Sequence, residues 1–137
     1  MTETTQATEV VETMLDALRD RKVDTAVDLF DDGIVWHNVG LPKVRGRDRV
    51  GKYMTALAKP EWGFDVTIHN IAANGNIVLT ERTDAIVYRR LRVDFWVCGT
   101  FELRDGKIAV WRDYGDVADI SKGFAKGAFR ALVSGNA

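Results

Sequence analysis

Two short patterns place ionisable side chains where acid–base chemistry would need them. Arg82-Thr83-Asp84 lies in the middle of a long alternating run in which Val78, Thr80, Arg82, Asp84, Ile86 and Tyr88 share one strand face. Asp113 shares its face with Ala109 and Trp111, and Asn38 shares its face with Trp36. Charges on apolar strand faces are expensive unless paired. Two carboxylates around one guanidinium can be held in different protonation states, which lets an acid and a base act at the same pH. In that reading Arg82 stabilises an ionised Asp113 and orients Asp84, while the apolar wall favours a protonated Asp84. The two carboxyls titrate as a coupled group, so neither has a pKa of its own.

The same spacing fits two arrangements without chemistry. One is a buried ion pair that ties strands together, and the other sets Asp113 with Asp116 at a strand end, satisfying loop amides. Other chemistry-bearing residues offer less. His37 falls on the strand face opposite Trp36 and Asn38, and His69 has no Cys or His partner at metal-ligand spacing, so no metal site is expected. The single cysteine, Cys98, lies beside Val97 and near Phe95 and reads as a packed strand thiol. No phosphate loop, dinucleotide fingerprint or serine-hydrolase elbow occurs, so no cofactor is expected. Met54, Leu57, Trp62, Val78, Ile86, Trp96 and Trp111 are candidates for an apolar pocket wall or for plain core.

The elements that must position these groups follow from periodicity. Val10, Val11, Met14, Leu15 and Leu18 recur at helical spacing, and Ala26, Val27, Leu29 and Phe30 suggest a short helix after Asp24 as N-cap. Ile34 to Val39 reads as a strand, and after a loop from Gly40 to Gly46, Val50, Tyr53, Met54 and Leu57 trace a third helix face. From Gly63 the period becomes two. Strands are expected up to Asn74-Gly75, from Asn76 to Arg89, from Leu91 to Leu103 and, after Asp105-Gly106, from Lys107 to Tyr114. A last helix is expected to start near Asp116 and bury Phe124, Ala128 and Phe129, weakened by Gly123 and Gly127. This is an α+β pattern: three helices, then a curved antiparallel or mixed sheet whose concave side can enclose a pocket, and a C-terminal helix.

The 137 residues suit one domain, with residues 1–5 expected as a flexible tail. Apolar residues form 46% and charged residues 28%, the mixture of a globular protein, and no stretch is apolar for long enough to span a bilayer. The polar, acidic opening lacks an export pattern, so a cytoplasmic location is the default. A net charge of −1 gives no reason to expect nucleic acid. Two basic clusters stand out locally: Lys43, Arg45, Arg47 and Arg49, and Arg89, Arg90 and Arg92. Each reads as a solvated loop or as an anionic-ligand site.

The chain resembles the limonene-1,2-epoxide hydrolase family. That family shares the cone-shaped fold of nuclear transport factor two, ketosteroid isomerases and polyketide cyclases. Three segments carry the resemblance: Trp36 to Pro42, Leu79 to Asp84, and Gly106 to Tyr114. It implies one-step hydrolysis of a lipophilic epoxide to a vicinal diol without a covalent enzyme intermediate or a cofactor. Asp84 matches the general acid, Asp113 the general base, Arg82 the residue bridging them, and Asn38 the amide that helps position the water. Trp36 stands where the family usually has a tyrosine, and an indole offers one donor and no acceptor to that water. This departure keeps two further readings open, an epoxide-opening cyclase or isomerase and a non-catalytic binding cone. The resemblance also implies a homodimer.

Overall fold

The computed structural model describes residues 3–115 and 117–135, with side chains described for residues 6–115, 120 and 122–133. Three helices open the chain: α1 (Glu3–Arg19), α2 (Val23–Asp28) and, after the strands β1 (Phe30–Asn38) and β2 (Val44–Arg45), α3 (Arg47–Leu57). Four long strands follow, β3 (Trp62–Asn74), β4 (Ile77–Tyr88), β5 (Leu91–Arg104) and β6 (Lys107–Gly115), and then α4 (Val117–Gly135). The strands form one six-stranded sheet in the order β2-β1-β6-β5-β4-β3. Consecutive hairpins join β3 through β6, while β1 lies parallel to β6 and makes the sheet mixed.

Turn chemistry sets the registers. The Asp105-Gly106 loop has positive φ at both residues, 51° and 77°, the geometry that matches the twist of a two-residue hairpin. Downstream of that loop β6 pairs with β5 so that Asp113 lies opposite Gly99, and β4 pairs with β5 so that Arg82 lies opposite Val97 and Asp84 opposite Phe95. Strand pairing therefore brings residues 82, 84 and 113 to one region of one face.

The apolar stripe of α1, Val11, Met14, Leu15 and Leu18, packs with Phe30, Ile34, Val50, Met54, Val78, Phe101 and Ile108 into a single core. Apolar area removed from water at roughly 25 cal/mol per Å² is the main term holding these helices to the sheet. Several boundaries differ from the sequence reading. α1 begins at Glu3, inside the stretch expected as a tail, while Met1 and Thr2 lie outside the described residues. Asp24 sits in the first turn of α2 rather than at its cap, which is Lys22. Tyr53 leaves the buried face of α3 and is exposed. The two-residue strand β2 occupies part of the expected loop, because Val44 and Arg45 pair with Trp36 and Val35.

α4 differs most. Beyond the Val97–Gly115 pair, β5 runs on past the end of β6 and leaves an edge that α4 covers. The helix meets that edge backbone to backbone: a Cβ on Gly123 would come within 2.2 Å of the Asp94 carbonyl oxygen, and one on Gly127 within 2.1 Å of the Arg92 carbonyl oxygen. The two glycines thus permit this approach, which alanine would block, and their lower helix propensity is offset by contact. With the glycine side turned inward, Phe124 and Phe129 point out and are 57% and 68% exposed, not buried as expected, while Ala128 is half-buried. The expected cap at Asp116 lies outside the described residues.

Candidate active site

Arg82 is completely buried and donates in four directions that leave it no choice of rotamer. Its Nε donates to Asp84 Oδ1 at 3.0 Å, and its Nη2 donates to Asp84 Oδ2 at 2.8 Å and to Asp113 Oδ2 at 3.1 Å. Nη1 donates to Thr80 Oγ1 at 3.1 Å, and the Phe101 ring lies 5.8 Å from the guanidinium carbon. Trp111 Nε1 adds a bond to Asp113 Oδ2 at 3.1 Å. The alternation of β4 makes the Arg82–Asp84 fork a local product of i, i+2 spacing, and the link to Asp113 depends on the sheet.

Burial opposes the Arg82 charge, yet the two carboxylates more than compensate and hold its pKa above the ordinary guanidinium value. Burial also raises Asp113 above the ordinary carboxyl value of 3.8, against the pull of Arg82 and the Trp111 bond. The ionised Asp113 expected from the sequence is thus opposed by its own burial. Arg82 grips Asp84 with a two-bond fork and Asp113 with one bond.

Asp84 and Asp113 line a cavity of about 440 Å³ beneath the helices, and Arg82 lies behind them. Asn38 and Trp36 reach it from β1, one strand over from Asp113. Trp36 packs 5.5 Å from the rings of both Tyr53 and Trp111. Trp36 Nε1 and Asp113 Oδ1 are both buried without a hydrogen-bond partner among the described residues, one a donor and the other an acceptor. Buried polar atoms left without a partner are unusual, and two complementary ones lining one cavity suit a small molecule that both accepts and donates.

Of the other expected wall residues, Met54, Leu57, Ile86 and Trp111 line the cavity, and three do not. Trp62 packs against Tyr88 with tilted rings, 4.6 Å between centroids, where β3 pairs with the C-terminal end of β4. Val78 shares the Arg82 face but lies toward the opposite end of β4, inside the core. Trp96 is 39% exposed, because it pairs with Thr83 on the reverse face of β4. Leu18, Val39, Leu41, Phe64, Phe95, Val97 and Ile120 add to the apolar lining. Periodicity assigned Phe64 to a strand face, but only the register places it opposite Ile86.

Gly99 is the functional position that sequence reasoning missed. A Cβ there would lie 2.6 Å from Arg82 Nη1, 2.7 Å from Asp113 Oδ1 and 2.9 Å from Thr80 Oγ1. The central strand β5 thus carries its glycine where the charged cluster needs room. An isolated glycine inside a strand was the available signal. His37, His69 and Cys98 stay apart from the cavity; His69 Nε2 lies 2.8 Å from Thr83 Oγ1 on the reverse face.

A family model of the limonene-1,2-epoxide hydrolase catalytic domain matches residues 5–126. The chain belongs to the limonene-1,2-epoxide hydrolase family. It is 45% identical over 123 residues to the epoxide hydrolase EphG of Mycobacterium tuberculosis, covering 90% of this chain and 82% of that protein. The solved structure of an M. tuberculosis LEH-like epoxide hydrolase superposes with a TM-score of 0.92 at 44% identity, over 97% of this chain and 99% of the other. A SnoaL-like polyketide cyclase fold from Jannaschia sp. CCS1 superposes with a TM-score of 0.76 at 16% identity, over 91% and 95% of the two chains, which shows the shared cone fold.

Proposed function

We propose that this family member adds water to a lipophilic epoxide in one step and releases a vicinal diol, with Asp113 as general base and Asp84 as general acid. The observation that carries the reading is the one-arginine, two-carboxyl cluster at the wall of an apolar cavity, with Asp113 Oδ1 and Trp36 Nε1 unpartnered beside it. A water that accepts from Trp36 and donates to Asp113 Oδ1 satisfies both atoms. Its bond to that oxygen favours the ionised form of Asp113, and the proton then passes to Asp84 around their common Arg82 nitrogen. Water gives a proton to Asp113 as its oxygen bonds to an epoxide carbon. The ring C–O bond breaks, and its oxygen takes the proton of Asp84. Return of the proton from Asp113 to Asp84 resets the couple. Asn38, which lines the same cavity, can accept the water's second hydrogen.

Because Trp36 can only donate, it orients one lone pair of the water and leaves the other for attack. The same donor-only residue favours a second reading, in which an internal hydroxyl of the substrate replaces water and the product is cyclic. Turnover of an epoxide panel in oxygen-18 water separates them: labelled diol supports hydrolysis, and an unlabelled cyclic product overturns it in favour of cyclisation. No helix among the described residues is long and apolar enough to cross a membrane. Pairing of two copies is supported by the exposed stripe Phe129, Leu132 and Val133 on α4, and sedimentation of Phe129→Asp, expected to shift toward monomer, checks it.

A further inference from the structure

The basic cluster Lys43, Arg45, Arg47 and Arg49 is divided by the fold. Arg47 turns toward Asp28 and Asp32, at 3.3 and 3.2 Å. Lys43 and Arg49 instead line a second cavity of about 790 Å³ together with Lys52. Arg49, Lys52, Tyr53 and Ala56 stand at i, i+3, i+4 and i+7 of α3, so one helix face forms one side of it, and Leu41, Pro42 and Val44 contribute from the neighbouring loop and β2. No carboxylate lines this groove, and none of its three cations forms an ion pair within 4.0 Å among the described residues. On a chain of net charge −1, three cations left without counter-ions beside apolar surface suit an amphipathic anion.

The groove adjoins the candidate catalytic cavity, since Trp36, Asn38 and Leu41 line both. Charge decides which end of a ligand goes where. The Asp84–Asp113 cavity already holds two carboxyls around a single guanidinium, and an anion placed there would be repelled and would hinder ionisation of the base. We propose that the α3 groove seats the anionic end of a lipophilic epoxide whose ring lies at Asp84 and Asp113. The proposal rests on the epoxide reading of the first cavity and adds to it a substrate class, epoxides that end in a carboxylate or phosphate. Lys43, Arg49 and Lys52 are exposed, so their substitution leaves the core untouched.

The test uses a ten-carbon terminal epoxide ending in a carboxylate and its methyl ester, with the wild-type chain and Arg49→Gln/Lys52→Gln. The acid is expected to have a kcat/KM about tenfold above the ester, mostly through KM, and the double variant is expected to bring the ratio near one. A ratio near one in the wild type, or a preference that the variant retains, overturns the proposal. Calorimetric binding of decanoate, decyl phosphate and decanol keeps this result separate from the chemistry. If no epoxide reacts but both anions bind better than decanol and the variant loses that preference, the groove stands and the hydrolase reading falls. Equal binding of all three overturns the groove. A preference for phosphate over carboxylate identifies the doubly charged end as the ligand, and the reverse order identifies the carboxylate.

Discussion

The chain contains the Arg-x-Asp pattern twice, and the two copies share one local bond, from the arginine Nε to the aspartate two residues on, to which Arg82 adds a second from Nη2. Arg82 Nε donates to Asp84 Oδ1 at 3.0 Å, and Arg92 Nε donates to Asp94 Oδ1 at 3.0 Å. Each guanidinium also reaches a second carboxylate on another strand, Asp113 at 3.1 Å for Arg82 and Asp65 at 3.2 Å for Arg92. In both, burial acts against the charge and the carboxylates raise the arginine pKa. What separates them is water. The side chains of Arg82, Asp84 and Asp113 are 0%, 6% and 10% exposed, whereas those of Arg92, Asp94 and Asp65 are 46%, 42% and 44% exposed. The exposed copy is a solvated ion pair of the kind that contributes roughly 0–1 kcal/mol. The buried copy is expensive to hold, faces a cavity, and keeps a carboxyl whose proton affinity burial has raised.

If burial is the whole difference, removing each arginine should break the comparison most sharply. Arg82→Met leaves two carboxylates buried around no cation and is expected to lower unfolding free energy by about 3–5 kcal/mol and to abolish turnover. Arg92→Met is expected to stay within about 1 kcal/mol in the same urea titration and to keep its activity. Comparable losses in both would show that geometry, not solvent exclusion, sets their worth. Asp84→Asn and Asp113→Asn remove one proton carrier each, and each is expected to reduce kcat by about 10²–10⁴-fold. Full turnover in either variant would remove that residue from the mechanism.

Gly99→Ala probes the space around the buried copy, since its new Cβ would displace Arg82, Asp113 or both. A shift of about 1 Å at the reacting groups is expected to lower kcat by about 10²-fold. Retained kcat would mean that the cluster tolerates that movement. The smaller effect concerns pH. The folded-state pKa of Asp113 lies above the ordinary 3.8, so its contribution to stability is fully present below that value and is lost as pH rises through the raised one. Asp113→Asn removes this loss, and its melting temperature relative to the wild type is expected to rise as pH increases above the ordinary 3.8. A constant difference across that range would mean that burial does not raise Asp113. Smallest of all, Asp94→Asn on the exposed copy is expected to change stability by less than about 1 kcal/mol.

Much of this architecture was legible from pattern. Alternation over residues 78–88 grouped Arg82 with Asp84, and the Asp105-Gly106 pair announced the hairpin that carries Asp113 back beside β5. Failures came where an element's environment overrode its pattern. Trp62, Val78 and Trp96 are apolar residues on real strands, yet where each lies relative to the cavity depends on how far along its strand it sits and on which face is covered. In α4 the apolar residues promised a buried face, but a strand edge left open beyond β6 selected the glycine side instead.

By itself the sequence determined the local geometry of both Arg-x-Asp pairs, because i, i+2 neighbours on a strand must point the same way. It also carried the family resemblance through three separated segments. It did not determine that burial raises the Asp113 pKa, which basic residues face a groove, or why β5 carries a glycine at residue 99. Those were decided when β4, β5 and β6 aligned in register and the helices excluded water from one face and not the other. Proton affinity and electrostatic strength depend on the surrounding medium, and only the tertiary structure supplies that medium.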